Sequence, residues 1–149
     1  ETLADIATQS ADYARQFGHD PRVALLSYSN FGQPLAPNTE RVREAVKILD
    51  GRNVDFEYDG EMAADTALDP ALRERLYPFC RLSGPANVLV MPALHSASIA
   101  AKLLQQLGGG SALGPMMHGI EKPVQIVQMG ATAHDLMTAA GIAAYESID

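Results

Sequence analysis

The sequence predicts an α/β fold of three layers, with a mostly parallel sheet between two layers of helices. Short apolar runs bounded by Pro, Gly and Asn alternate with longer segments whose apolar residues recur at helical spacing. Strands separated by helices pair in parallel through right-handed crossovers. The chain has 149 residues, of which 47% are hydrophobic and 19% charged, so it is one globular domain or half of a larger one.

The first elements are predicted from periodicity and from the residues that stop them. Residues 2–18 form an amphipathic helix, and the apolar run 22–29 forms a buried strand. Apolar positions at i, i+3, i+4 and i+7 predict a helix over 39–51 that stops at Gly51. The segment 54–62, VDFEYDGEM, alternates apolar and acidic residues, which predicts a strand with one exposed face.

The later elements follow the same alternation. Asp and Pro open a short helix over 69–76, and the continuous apolar run 86–92 predicts a central strand buried on both faces. A helix over 98–110 ends in three glycines, 123–128 forms another strand, and 131–147 forms the closing helix.

Composition excludes several classes of function. The net charge is −7, with eleven basic residues scattered among eighteen acidic ones, which argues against a nucleic-acid partner. The single cysteine, Cys80, excludes an internal disulfide, and a lone cysteine is typical of a protein in a reducing cytoplasm. We expect Cys80 to be a small buried apolar residue. No apolar run has membrane-spanning length. The chain starts inside a helix without Met, so we expect a piece of a longer polypeptide.

Ligands of open α/β sheets bind beyond the carboxyl ends of the strands. Four segments qualify: 27–32, 59–65, 91–98 and 128–135. In the last, Thr132 and Asp135 match a capping box, which is a sufficient structural explanation for both. Unpaired N–H groups at 130–134 and the helix dipole would also favour a phosphate there.

The other segments carry weaker signals. His95, Ser96 or Ser98 would begin a helix that places Lys102 one turn in, where it either reaches a phosphate or is simply solvated. Asp59, Glu61 and Asp65 suit Mg²⁺ or acid–base chemistry, but turn geometry explains them better. The glycine-rich stretch 108–115 is better explained as a helix end and turn than as a phosphate loop, and the four histidines show no metal-ligand spacing.

Five blocks in order make the chain resemble the phosphate acetyltransferase (phosphotransacetylase) family. They are RVALLSYSNFG, VDFEYDGEMAADTAL, ANVLVMPALHSASIAAKLLQQLGG, GPMMHGIEKPVQIV and MGATAHDL. The family's domain is about twice as long, so residues 1–149 would be its C-terminal half. The resemblance implies a fold like that of isocitrate and isopropylmalate dehydrogenases, with acetyl phosphate and coenzyme A meeting in a cleft between two subdomains.

The sequence departs from the family where chemistry is expected. Active members read Ser-Arg-Gly-Cys-Ser in the turn before the last helix; here the Ser falls on Gln128 and the Arg on Met129, whereas Gly130, Asp135 and Lys102 are kept. Without the hydroxyl and the guanidinium, efficient acetyl transfer is not expected.

The blocks LSYSNFG, MPALHSASIAAKLLQQLGGG and VQIVQMGATA are most similar to the C-terminal domain of multidomain bacterial malic enzymes. That resemblance implies oxidative decarboxylation of malate to pyruvate by an N-terminal part with NAD(P) and Mg²⁺ or Mn²⁺, in a cytoplasmic homo-oligomer. It implies no catalytic residues here, but a regulatory cleft for acetyl-CoA, formed by Ser27, Asn30, Lys102, Gln128, Met129, Gly130, Ala131, Thr132 and Asp135. The alternatives are an active phosphate acetyl- or butyryltransferase and a purely structural oligomerisation domain.

Overall fold

A computed structural model describes residues 2–108, 112–117 and 119–148. The chain divides into two compact units, residues 1–100 and 101–149. The helices and strands follow in the order α1 (Thr2–Gln16), β1 (Arg22–Leu26), α2 (Pro37–Arg52), β2 (Glu57–Met62), α3 (Ala64–Leu68), α4 (Pro70–Leu76), β3 (Val88–Val90), α5 (Leu94–Leu107) and α6 (Ala133–Glu146).

The first unit is built on a parallel sheet, which in the described residues has the strand order β2–β1–β3. β1 pairs with β2 from Arg22 opposite Glu57 to Leu26 opposite Met62, with a register shift after Leu25. It pairs with β3 from Val23 opposite Val88 onward. The predicted α/β class with a parallel sheet is therefore confirmed.

Successive residues of β1 point into two different cores, as the period of two in a strand requires. Val23 and Leu25 pack with the small and branched residues of α1 and α2, among them Ala7 and Leu49. Ala24 and Leu26 pack on the opposite side with Met62, Ala67, Leu82 and Ala86. Helices thus cover both faces of the sheet, and β1 is its buried centre.

A strand forms within the predicted run 86–92, but the prediction that it spans the run as a central strand is wrong. β3 has only three residues, and it lies at one end of the sheet that the described residues form. Asn87, just before β3, bonds through its side chain to the residues at the start of β1. Its Oδ1 accepts from the Arg22 amide at 2.7 Å, and its Nδ2 donates to the Asp20 carbonyl. Pro92 follows without an N–H to donate, so few residues are left to pair.

Two helix ends test the stop and start signals. α2 continues through Gly51 to Arg52 and ends at Asn53, whose φ and ψ of 50° are left-handed, so the predicted stop at Gly51 is wrong. Asn is among the few non-glycine residues that adopt this conformation readily. The predicted start of α4 is confirmed, since Asp69 accepts from the Ala71 and Leu72 amides at 3.0 Å each.

The second unit contains α6 and the segment before it. The predicted strand over 123–128 is absent from the described residues, where one isolated antiparallel bridge joins Met116 to Gln125. Val124, Ile126 and Val127 are exposed. A strand needs a neighbour along its length, and β propensity alone does not provide one.

Among the residues described, none of the helices is both long enough and apolar enough to span a membrane.

Candidate functional site

The first unit brings three of the predicted segments to one edge of its sheet. Parallel strands end at the same edge, so the segments 27–32, 59–65 and 91–98 all lie beyond or at the ends of β1, β2 and β3. Ser27 and Asn30 lie in the loop after β1, and the side chain of each already has a hydrogen-bond partner. The Ser27 Oγ accepts weakly from the Ser29 amide at 3.4 Å, and the Asn30 Oδ1 accepts from the Ala63 amide at 2.8 Å.

Glu61 organises this loop from inside the protein. Its side chain is fully buried, and its Oε1 lies 2.9 Å from the Ser29 Oγ, 2.8 Å from the Gly32 amide and 3.3 Å from the Arg43 Nη1. The Ser29 hydroxyl also lies 2.9 Å from the Pro34 carbonyl, although its one proton serves a single acceptor at a time. The Glu61 Oε2 is buried without a hydrogen-bond partner in the part of the chain described.

The prediction that the acidic residues of β2 face solvent is therefore wrong. Asp59 is also buried, and its carboxylate accepts from the Arg81 amide at 2.8 Å and faces the Arg81 guanidinium at 3.3 Å. Asp65 accepts from the Thr66 amide at 2.8 Å at the start of α3. Each of the three carboxylates is held by protein donors of its own, which favours structural roles over a shared magnesium site.

The start of α5 differs from the prediction. The helix begins at Leu94, and the Ser96 hydroxyl donates to the Ala93 carbonyl at 2.8 Å instead of capping an amide. Lys102 is eight residues beyond the first residue of α5, a little over two turns, and not one turn in. Its ammonium donates to the Gln128 Oε1 at 2.7 Å, so the second unit brings these two predicted site residues together.

The turn before α6 confirms the capping box. The Thr132 Oγ1 accepts from the Asp135 amide at 3.2 Å, and the Asp135 Oδ2 accepts from the Thr132 amide at 2.8 Å. The Ala131 amide donates to the Gln128 carbonyl at 2.9 Å. Two of the amides predicted to face a ligand, those of Ala131 and Thr132, are therefore used within the protein.

A small cavity of about 140 Å³ lies beside this turn. The residues that line it include Gln105, Gln125, Gln128, Gly130, Ala131 and Asp135. Space is open where a side chain on Gly130 would stand, and Met129 projects fully into solvent. Pockets that enclose small ligands are about 300–1,000 Å³, so this cavity has room for part of such a molecule.

Some predicted features stay outside this geometry. Gly109, Gly110, Ser111 and His118 lie outside the described residues. Cys80 is half-buried, and this burial is the main reason that the pKa of its thiol is raised. A thiol that stays protonated is a poor nucleophile, so Cys80 suits a packing role. Sequence reasoning missed the group formed by the buried Ser29 and Glu61 with the partly exposed Arg43, because the alternation in β2 suggested that the carboxylates were exposed.

The capping box gives the start of α6 a pH dependence. Hydrogen bonds from the Thr132 amide, and then from its hydroxyl, lower the pKa of the Asp135 carboxyl. A carboxyl whose pKa is lower in the folded state stabilises the fold above its unfolded pKa and loses this effect as the pH falls through the folded pKa. We expect the Thr132 amide proton resonance to titrate at a lower pH than an ordinary aspartate would give, following the lowered pKa of Asp135. Asp135→Asn removes the titrating group, and an equal shift in both proteins would contradict the assignment.

Comparison with known proteins places this geometry in context. The family model described as phosphate acetyl/butaryl transferase matches residues 1–144. The chain is 60% identical over 147 residues to an NADP-dependent malic enzyme of Rhizobium meliloti (strain 1021), covering 99% of this chain and 19% of that protein. It is 42% identical over 150 residues to a phosphate acetyltransferase of Treponema pallidum (strain Nichols), covering 99% of this chain and 45% of that protein.

Solved structures agree with the sequence similarity. A phosphotransacetylase from Streptococcus pyogenes superposes with a TM-score of 0.90 at 39% identity, covering 98% of this chain and 44% of that one. The chain therefore spans less than half of these transferases and about a fifth of the malic enzyme.

Proposed function

Because this chain belongs to the phosphate acetyl/butaryl transferase family, we propose that it is a regulatory member of that family without transferase activity. It binds acetyl-CoA as the allosteric effector of a malic enzyme within the same polypeptide. The similarity to an NADP-dependent malic enzyme supports this setting. The remainder of such a protein oxidises and decarboxylates malate with NAD(P) and Mg²⁺ or Mn²⁺, as a cytoplasmic homo-oligomer.

The tip of the turn before α6 is the observation that carries the proposal. Met129 is fully exposed and offers no charge or hydrogen-bond donor, at the position that the resemblance assigns to an arginine. Gln128, at the position of the serine, uses its side-chain oxygen on Lys102. Losing one oriented donor to a developing oxyanion typically costs about 100- to 1,000-fold in kcat, and here two catalytic groups are replaced.

What remains suits binding better than chemistry. Lys102 supplies an ammonium, and the amides of Ala133 and His134 open α6, where the helix dipole favours an anion. The sequence predicted that the amides from Gly130 to Thr132 would bind the anion. Two of them, those of Ala131 and Thr132, have partners within the protein, so fewer amides are left for a ligand. The cavity beside the turn takes part of the effector. The roles of Ser27 and Asn30 in ligand binding stay predictions of the sequence.

Regulation then requires that acetyl-CoA binds one state of the parent enzyme better than another. A coupling free energy of about 1–3 kcal/mol is typical of such effectors and changes the affinity of the other ligand about 5- to 150-fold. We propose that this coupling lowers the affinity for malate.

Calorimetry and two activity assays on the full-length parent protein test the proposal. We expect saturable binding of acetyl-CoA, weaker apparent binding of malate in its presence, and no acetyl phosphate formed from acetyl-CoA and phosphate. Free coenzyme A serves as the ligand control for the acetyl group. Turnover at ordinary enzymatic rates would instead assign the active-transferase function, which the identity to phosphate acetyltransferases favours. No binding at millimolar acetyl-CoA would leave a purely structural role.

A further inference from the structure

Lys102 and Gln128 form a contact that the proposed function does not require. The Lys102 Nζ lies 2.7 Å from the Gln128 Oε1, and both side chains are exposed. The backbone of Gln128 is held separately, because its carbonyl accepts from the Ala131 amide at 2.9 Å. The side chain is therefore free to move away from Lys102 without opening the turn.

The chemistry of the two groups makes the contact replaceable. An ammonium has donors but no acceptor, so it is the carbonyl oxygen of the glutamine amide that faces it. That oxygen is neutral, and hydrogen bonds between an ammonium and an anionic oxygen are stronger than those to a neutral one. A phosphate oxygen arriving at Lys102 would displace the amide.

Lys102 reaches this turn through its hydrogen bond to Gln128, and no cationic residue is among the described residues that line the cavity. Gln128 lines the cavity together with Gly130 and Asp135. The Asp135 carboxylate would repel an anion, but its Oδ2 already accepts from the Thr132 amide and hydroxyl at 2.8 Å each. No Cβ fills the space beside Gly130, so a displaced Gln128 side chain or a ligand has room on that side.

We propose that Gln128 is an internal competitor for Lys102: its amide oxygen occupies the ammonium in the empty protein and must be displaced by the phosphate of the ligand. The proposal rests on the proposed function for the identity of the ligand, acetyl-CoA. When only a fraction of the protein molecules is in the form that binds, the apparent affinity for the ligand is reduced by that fraction. Gln128 therefore sets the concentration at which the effector acts.

Binding of acetyl-CoA to the full-length protein tests the proposal by calorimetry. We expect Gln128→Ala to tighten binding about two- to tenfold, which is the range for freeing one hydrogen bond of ordinary net strength at an exposed site. Gln106→Ala is the matched control and should leave binding unchanged, since Gln106 is an exposed glutamine of α5 that is not among the residues lining the cavity. Gln128→Ala should have no effect in a Lys102→Met background. Unchanged or weaker binding, or a gain that persists without Lys102, would overturn the proposal.

A second measurement does not depend on acetyl-CoA. Trace acylation with acetic anhydride, read by mass spectrometry, should label Lys102 about two- to tenfold faster in Gln128→Ala than in the parent protein, with the exposed Lys47 as internal reference. Equal labelling would overturn the proposal whatever the effector is. Faster labelling in a protein that binds no acetyl-CoA would support the contact and contradict the proposed function.

Discussion

Replacing Arg73 by Met is expected to destabilise the chain by about 3–5 kcal/mol, because backbone carbonyls in the interior lose a donor at about 1–3 kcal/mol for each one left unsatisfied. Arg73 is 4% exposed, and its guanidinium donates to four backbone carbonyls. The acceptors are those of Thr66 at 3.3 Å, Ala67 at 3.2 Å, Leu82 at 3.2 Å and Gly84 at 2.7 Å. One side chain thus ties α3 and α4 to the segment before β3, and methionine satisfies none of the carbonyls.

Equilibrium urea denaturation measures this loss. With a slope of about 1–3 kcal/mol per molar urea for a small domain, the midpoint should fall by about 2 M. The urea midpoint of Arg73→Lys should lie between those of the unchanged protein and Arg73→Met. An ammonium can donate to some of the carbonyls, but it lacks the planar geometry with which a guanidinium reaches both pairs. Arg75→Met, an exposed neighbour on α4, should change stability by less than about 0.5 kcal/mol. Equal midpoints for Arg73→Met and Arg75→Met would show that the carbonyls find other partners.

Replacing Glu61 by Ala is expected to cost about 2–4 kcal/mol and to loosen the loop that carries Ser27 and Asn30. The change leaves the Gly32 amide without its acceptor and removes one of the two acceptors of the buried Ser29 hydroxyl, which keeps the Pro34 carbonyl at 2.9 Å. Arg43 is partly exposed and can turn to water, so we place the loss below that of a fully buried pair. Glu61→Gln keeps an acceptor oxygen and should cost about half as much.

Amide hydrogen exchange separates the loop effect from global unfolding. The Gly32 amide donates to the Glu61 side chain, whereas the Phe31 amide donates to the Glu61 backbone carbonyl at 2.8 Å. We expect Glu61→Ala to accelerate exchange at Gly32 more than at Phe31. Glu44→Ala, which removes an exposed ion pair with Lys47, is the control for surface charge and should change neither amide. Equal acceleration of the Gly32 and Phe31 amides would mean that Glu61 supports the whole fold and not this loop.

Sequence patterns predicted the parts of the fold that local physics determines. The capping box at Thr132 and the Asp69 cap of α4 depend on residues within three positions of each other, so both were visible in the sequence. β1 was identified as a buried strand because four successive apolar residues fit no exposed element. The resemblance supplied the family, which the comparisons confirm.

Most of the wrong predictions depend on partners far away in the sequence, whereas the misplaced start of α5 is a local error. Asp59 and Glu61 look like solvent-facing residues until Arg81 and Arg43 are known to lie beside them. The segment 123–128 has strand-like composition, but among the described residues it finds only an isolated bridge. Lys102 was placed one turn from the start of its helix because the true start at Leu94 carries no side-chain cap to mark it.

The exposure of α5 has a thermodynamic consequence for the proposed effector site. None of its described residues is buried, although Leu94, Ile99, Leu103, Leu104 and Leu107 are large and apolar. A partner surface that covered these side chains would also stiffen the helix that carries Lys102, and the free energy of that contact would then be linked to the free energy of anion binding. If the partner surface belongs to a separate molecule, dilution of the protein should weaken binding of the proposed effector. If it belongs to the same polypeptide, dilution should leave that affinity unchanged.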